Sequence, residues 1–114
     1  MNENHVVYVR TGTTNIEQSR MLQINRCTAL AAARGHNISC IYADIGAGSH
    51  DNGEALQRLL LDCAADRVTT LYVSSRDRIA RNFQQYMRIT ATMREHGVPV
   101  VYLEDAIGMT AERI

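Results

Sequence analysis

Apolar and polar positions follow one pattern three times along the chain: a short β-branched or aromatic run, a polar loop, then a longer stretch with apolar residues three or four apart. His5–Arg10 is the first run; it stops at Thr11-Gly12-Thr13-Thr14-Asn15, which predicts a strand ending in a loop. Glu17–Arg34, with Met21, Ile24, Cys27 and Ala31 in helical spacing, predicts a helix that Gly35 stops. Ile38–Ala43 reads as a second strand closed by Asp44, followed by a glycine-bearing loop over 45–52. Gly53–Ala65 predicts a second helix through Leu56, Leu59, Leu60 and Cys63. Thr69–Ser75 is a third strand; Arg76-Asp77-Arg78 leads from it into a long helix reaching His96, with Phe83, Met87, Thr90 and Ala91 expected to face inward and Gly97 to end it. A fourth strand, Val98–Leu103, carries the single proline, Pro99, near its start, where a missing amide is tolerated.

Strands and helices that alternate in this way, with strands apolar throughout, predict an α/β fold: an open, mostly parallel four-stranded sheet with helices on both faces. The pattern fits one domain over 4–105, with a tail over 106–114 too short to assign. Ligands of such sheets bind outside the carboxyl ends of the strands. Arg10 with the threonine loop, Asp44, and Asp77 with Arg78 are therefore the candidate site residues.

Composition narrows the chemistry. The chain has 114 residues and zero formal charge, and all 12 of its Lys-plus-Arg residues are arginine, balanced by 12 acids. Neutrality argues against a polybasic coat that binds by bulk charge. It conceals a segregation, however: residues 67–94 hold six arginines against Asp77 alone, so this stretch is +5 and the remainder −5. A solvated helix face is the plainer account of that stretch; a local anion site is the functional one. Cys27, Cys40 and Cys63 are odd in number and form no CxxC pair, which fits buried free thiols better than a disulfide framework or a zinc site. His5, His36, His50 and His96 fall at element ends and are expected to be exposed caps, and Met21, Met87 and Met93 to be core fillers. The polar start and the shortness of the run Val6–Val9 give no signal peptide or membrane span, so a soluble cytoplasmic protein is expected.

Three common uses of this architecture fail on sequence. The only GxG, Gly46-Ala47-Gly48, follows the second strand rather than the first and lacks its third glycine, so a dinucleotide site is not supported. A phosphate-binding P-loop needs a lysine the chain does not have. A receiver-type domain needs paired acids where the first strand here ends in Arg10. What remains is an arginine on a hydroxyl-rich loop beside a second loop reading Arg-Asp-Arg-x-x-Arg. Guanidinium groups converging on one phosphate can stabilise the charge that develops during its transfer without a metal. Arg78 and Arg81, three apart, are expected to share one side of a helix start.

The order Tyr8-Val-Arg10-x-x-Thr13, Gln23 in the first helix, Tyr42-x-Asp44 with a Gly/Ser loop, and Asp77-Arg78-Ile-Ala-Arg81-Asn82 resembles the catalytic domain of the serine recombinases, the resolvase/invertase family, from about Val6 to Glu104. The resemblance implies DNA as partner and a serine that attacks the scissile phosphate to give a 5′-phosphoserine link, followed by strand exchange and religation without metal or nucleotide. It implies that Arg10, Arg78 and Arg81 hold the phosphate and that Asp77 supports them or assists proton transfer. Gln23 and Asp44 would shape the site, Tyr8 would pack beside Arg10, and Thr11, Thr13 and Ser49 would be supporting hydroxyls. An intact parent is expected to be a homodimer or tetramer, with a long dimerisation helix beginning in the tail 106–114 and a DNA-binding module beyond.

The sequence departs from the family at the central position. The nucleophile belongs two residues after the arginine, and here that residue is Gly12, which has no hydroxyl. Thr11 and Thr13 flank it but point differently from it in an extended segment. Ser74 and Ser75 lie near the arginines, with no base beside them. The family's Ser-Gly is Gly48-Ser49 here, and its arginine before the second helix is replaced within Asp51-Asn52-Gly53. The expectation is a recombinase domain deficient in cleavage; the alternative is a non-catalytic module that binds DNA phosphates or pairs with an active recombinase.

Overall fold

The computed structural model describes residues 3–46 and 53–106. Four strands, β1 (His5–Thr11), β2 (Ile38–Ile45), β3 (Thr70–Val73) and β4 (Val100–Tyr102), alternate with helices α1 (Ile16–Ala33), α2 (Glu54–Ala64) and α3 (Phe83–Glu95). A 3₁₀ turn, Arg76–Arg78, lies between β3 and α3. The sheet order is β2-β1-β3-β4 and every pairing is parallel, so the expected open parallel sheet is what forms. Gly35 and Gly97 adopt φ of 81° and 70° just past α1 and α3, the left-handed step that lets the amides of His36 and Val98 reach back to Ala31 and Met93. The tail segment 107–114 and the loop segment 47–52 lie outside the described residues.

Helices cover both faces, unequally. On one face α2 and α3 pack on Val6, Tyr8, Leu71 and Val73; on the other α1 alone packs Cys27 and Ala31 on Val7, Val9 and Tyr72. The edge position of β2 explains two departures from expectation. β1 and β3 are almost wholly buried, but β2 is an edge strand with Cys40, Ile41 and Ile45 exposed. Cys40 is therefore not a buried thiol, unlike Cys27 and Cys63. Burial pushes the Cys63 thiol up to about 11, and raises Cys27 too.

The inner faces of two helices also differ from their apolar pattern. α1 buries Gln23, Cys27 and Ala31, while Met21 is 51% exposed. α3 buries Gln85, Ile89 and Met93, leaving Met87 on the surface and Phe83 73% exposed. The Asn82 side chain accepts from the amide of Gln85 at 2.8 Å and caps α3, which begins only at Phe83. Ile79 and Ala80 enter the core from the preceding turn instead. His5 is likewise not an exposed cap; it is 4% exposed and stacks on His36 at 3.7 Å, and the His36 ring nitrogen Nδ1 meets the Tyr72 hydroxyl at 2.6 Å. Among the described residues no helix is long and apolar enough to cross a membrane.

Candidate active site

The carboxyl ends of β1, β2 and β3 bring the arginine loop, Asp44 and the Asp77-Arg78 turn to one edge of the sheet. Arg10 stands opposite Asp44 in the β1–β2 register and on the same side of β1 as Tyr8, whereas Thr11 points to the other side. The Arg10 guanidinium donates through Nη2 to the carbonyl of Asp77. In the reverse direction, Arg78 Nη1 donates to the carbonyl of Arg10 at 3.0 Å, and Gln23 Nε2, from α1, donates to the same oxygen at 3.1 Å. The two loops are thus tied by a reciprocal pair of arginine–carbonyl bonds, with a buried glutamine as the third anchor. Gly46 leaves room for this: a Cβ there would stand 3.1 Å from Arg10 Cδ.

Asp77 supports Arg10 through its main chain, while its carboxylate takes the hydroxyl of Ser75. Among the described residues no ion pair joins Asp77 to Arg78 or Arg81. Ser75, a conceivable nucleophile by position, is occupied as that donor. Arg78 and Arg81 do not share a helix start as expected. Arg78 closes the 3₁₀ turn, and Arg81 follows in the exposed bend before α3. They also line different cavities: Arg78 one of about 230 Å³ with Ser19, Gln23 and Arg26, and Arg81 one of about 300 Å³ with Asp77, Asn82 and Phe83.

Asp44 belongs to this edge but is engaged in structure. Its Oδ1 accepts the amide of Ala55 at 2.9 Å, and its Oδ2 accepts the amide of Leu56 at 3.0 Å and the Tyr8 hydroxyl at 2.8 Å. It therefore caps the first turn of α2 from a neighbouring strand. Gly53, at the N-cap, is required here, because any Cβ would overlap the Asp44 carboxylate. Burial, then the bond to Asp44, raises the Tyr8 phenol well above its ordinary range, so Tyr8 stays a neutral donor.

The centre of the site is less satisfied. Among the described residues, Arg10 Nε, Thr11 Oγ1 and Gln23 Oε1 are buried polar atoms without a hydrogen-bond partner. Gly12 and Thr13 are exposed at the mouth, and a Cβ built on Gly12 meets nothing within 4 Å. Thr11 is only 2% exposed and turned away toward the α1 side. Ser49 lies outside the described residues. A brace that sequence reasoning missed joins the turn to β4: Arg76 pairs with Glu104 at 3.0 Å and Asp105 at 2.9 Å and lies 4.1 Å above the Tyr102 ring. Arg76 is thereby neutralised, which removes one charge from the +5 stretch. Its partners become visible only once β4 is known to lie beside β3. Among the described residues no group of three or more His, Cys, Asp or Glu is placed to hold a metal.

Solved structures share this arrangement of strands. The N-terminal catalytic domain of TP901-1 integrase is 27% identical with a TM-score of 0.81, over 90% of this chain and 79% of its own. The C-terminal catalytic domain of ISC1926 TnpA, an IS607-like serine recombinase, is 22% identical with a TM-score of 0.80, over 88% and 68%. A resolvase family site-specific recombinase from Streptococcus pneumoniae is 24% identical with a TM-score of 0.67, over 90% and 74%. The last two likenesses concern the fold alone. No curated protein matches the chain in sequence. The family model described as "Resolvase, N terminal domain" matches residues 5–113, almost the whole length, and the chain belongs to that family as a resolvase-like serine recombinase catalytic domain.

Proposed function

We propose that this domain binds DNA through its phosphates at the ends of β1 and β3 and does not cut it. Arg10, Arg78 and Arg81 supply the donors. The observation that carries the reading is the lacing of Arg10 to Asp77 and of Arg78 to Arg10 around an open position at residue 12. Arginines fixed before a ligand arrives lose little freedom on binding a phosphate, and their planar forks suit its oxygens. The unpartnered Arg10 Nε supports the same role. The family's covalent step needs a hydroxyl at position 12, and glycine supplies none. Thr11 is buried on the other side of the strand, and Thr13 is one residue too far along the loop.

The test is restoration. Gly12 has neither a positive φ nor a neighbour in the path of a Cβ, so Gly12→Ser fits without repacking. In the full-length protein, Gly12→Ser should give a covalent protein–DNA adduct on supercoiled DNA, seen as denaturant-resistant retention of label, while the Gly12 protein gives none. An adduct from the Gly12 protein would overturn the cleavage-deficient reading. Undetectable DNA binding at low salt would overturn phosphate binding and favour a module that pairs with an active recombinase.

A further inference from the structure

Phe83 is the chain's only phenylalanine and stands 73% exposed at the first residue of α3. A large aromatic side chain left in water at a helix start contributes nothing to the core, and the inward face of α3 is already filled by Gln85, Ile89 and Met93. Its surroundings are cationic. From Arg78 to Arg94 there is no acid at all, and neither Arg81 nor Arg88 has an acidic partner among the described residues. Phe83, Arg81 and Asn82 border one cavity of about 300 Å³, which Asp77 also lines.

We propose that Phe83 is a stacking platform for an exposed nucleobase adjoining a phosphate held by Arg81, an assignment that rests on the phosphate-binding reading above. The charge selects the occupant: an aromatic ring beside Arg81, which has no ion pair among the described residues, suits a polyanion that carries flat apolar faces, and a greasy protein segment would leave that arginine unsatisfied. The N-terminus of the 13-residue helix α3 adds positive potential at the same point. Stacking on a phenyl ring reads any base, so the contact would anchor a strand without selecting its sequence.

Single-stranded oligothymidylate is the probe, measured beside a base-free deoxyribose-phosphate oligomer of equal length. Phe83→Ala should weaken oligothymidylate binding about 5- to 100-fold at fixed salt, leave the slope of log affinity against log salt unchanged, and leave binding of the base-free oligomer unchanged. Phe83→Trp should retain affinity, with its fluorescence quenched by oligothymidylate. The exposure of Phe83 keeps both variants folded. Wild-type affinity in Phe83→Ala, while Arg81→Ala still weakens binding, overturns the stacking role and spares the phosphate reading. Equal losses on both oligomers, or a change of oligomeric state in Phe83→Ala by sedimentation, also overturn it. A wild-type protein that binds neither oligomer at low salt overturns both proposals.

Discussion

The end of β2 and the ends of β1 and β3 lie side by side and are built on opposite rules. At β2, Asp44 is fully engaged: two amides of α2 and the Tyr8 hydroxyl occupy both its oxygens, and Gly53 clears the space for them. At β1 and β3, the backbone carbonyls are satisfied by Arg10, Arg78 and Gln23, yet Arg10 Nε, Gln23 Oε1 and Thr11 Oγ1 have no partner among the described residues. A carboxylate that closes a helix end is part of the fold, whereas an unpaired donor such as Arg10 Nε is what the proposed phosphate site would use. Two acids that look alike in the sequence, Asp44 and Asp77, thus have different work.

The largest expected effect lies at the engaged end. Asp44→Ala removes the α2 cap and orphans the buried Tyr8 hydroxyl, so it should lower unfolding free energy by about 2–4 kcal/mol in urea titration. Gly53→Ala, whose methyl displaces the same carboxylate, should lower it by about 1–2 kcal/mol. The two should not add: with Asp44 already alanine, the Gly53 change should lose most of its penalty. Additive losses would mean that Gly53 serves the backbone of its own turn and not Asp44. At the open end the expectation reverses. Arg81→Ala should change stability by less than about 0.5 kcal/mol while weakening DNA binding by roughly 10- to 100-fold and reducing the salt slope by about one. A loss of stability with unchanged binding would erase the distinction between the two ends.

How far the sequence foretold this edge depends on what each residue touches. The sheet was legible because β1 and β3 are continuous apolar runs, and the arginine and aspartate positions were legible because they end those runs. The inner face of α3 was not, since its first inward residue is a glutamine and its only phenylalanine faces out, so a hydrophobic period selects the wrong stripe. β2 reads as a buried strand by composition, and only the order β2-β1-β3-β4 makes it an edge. Asp44 as a cap for α2 needed the crossing of two elements, and the Arg76 brace needed the adjacency of β3 and β4. The pattern identifies which residues stand at a strand end; the tertiary partners decide whether each is spent on structure.

A surface counterpart to Asp44 gives a finer gauge of that rule. Cys63 is buried with its thiol pushed up to about 11, and Cys27 is buried with its thiol raised, whereas Cys40 stands open on the β2 edge. Alkylation at neutral pH should therefore modify Cys40 alone in the native protein, and all three in denaturant. The smallest effect is expected from Asp105, exposed and paired with Arg76, whose hydrogen bond holds its carboxyl below the usual carboxylate range. A depressed pKa in the folded state means that the contribution is present above the unfolded pKa and fades as pH falls through the folded one. Asp105→Asn should then lower Tm slightly at neutral pH, and the two melting curves should converge as the pH falls through the depressed pKa of Asp105. Added salt should narrow the same gap, because exposed charges are screened, while the loss in Asp44→Ala should barely respond to salt. A gap in Asp105→Asn that ignores both acid and salt would show that the residue acts through packing, and would place the β4 brace with the engaged end of the sheet.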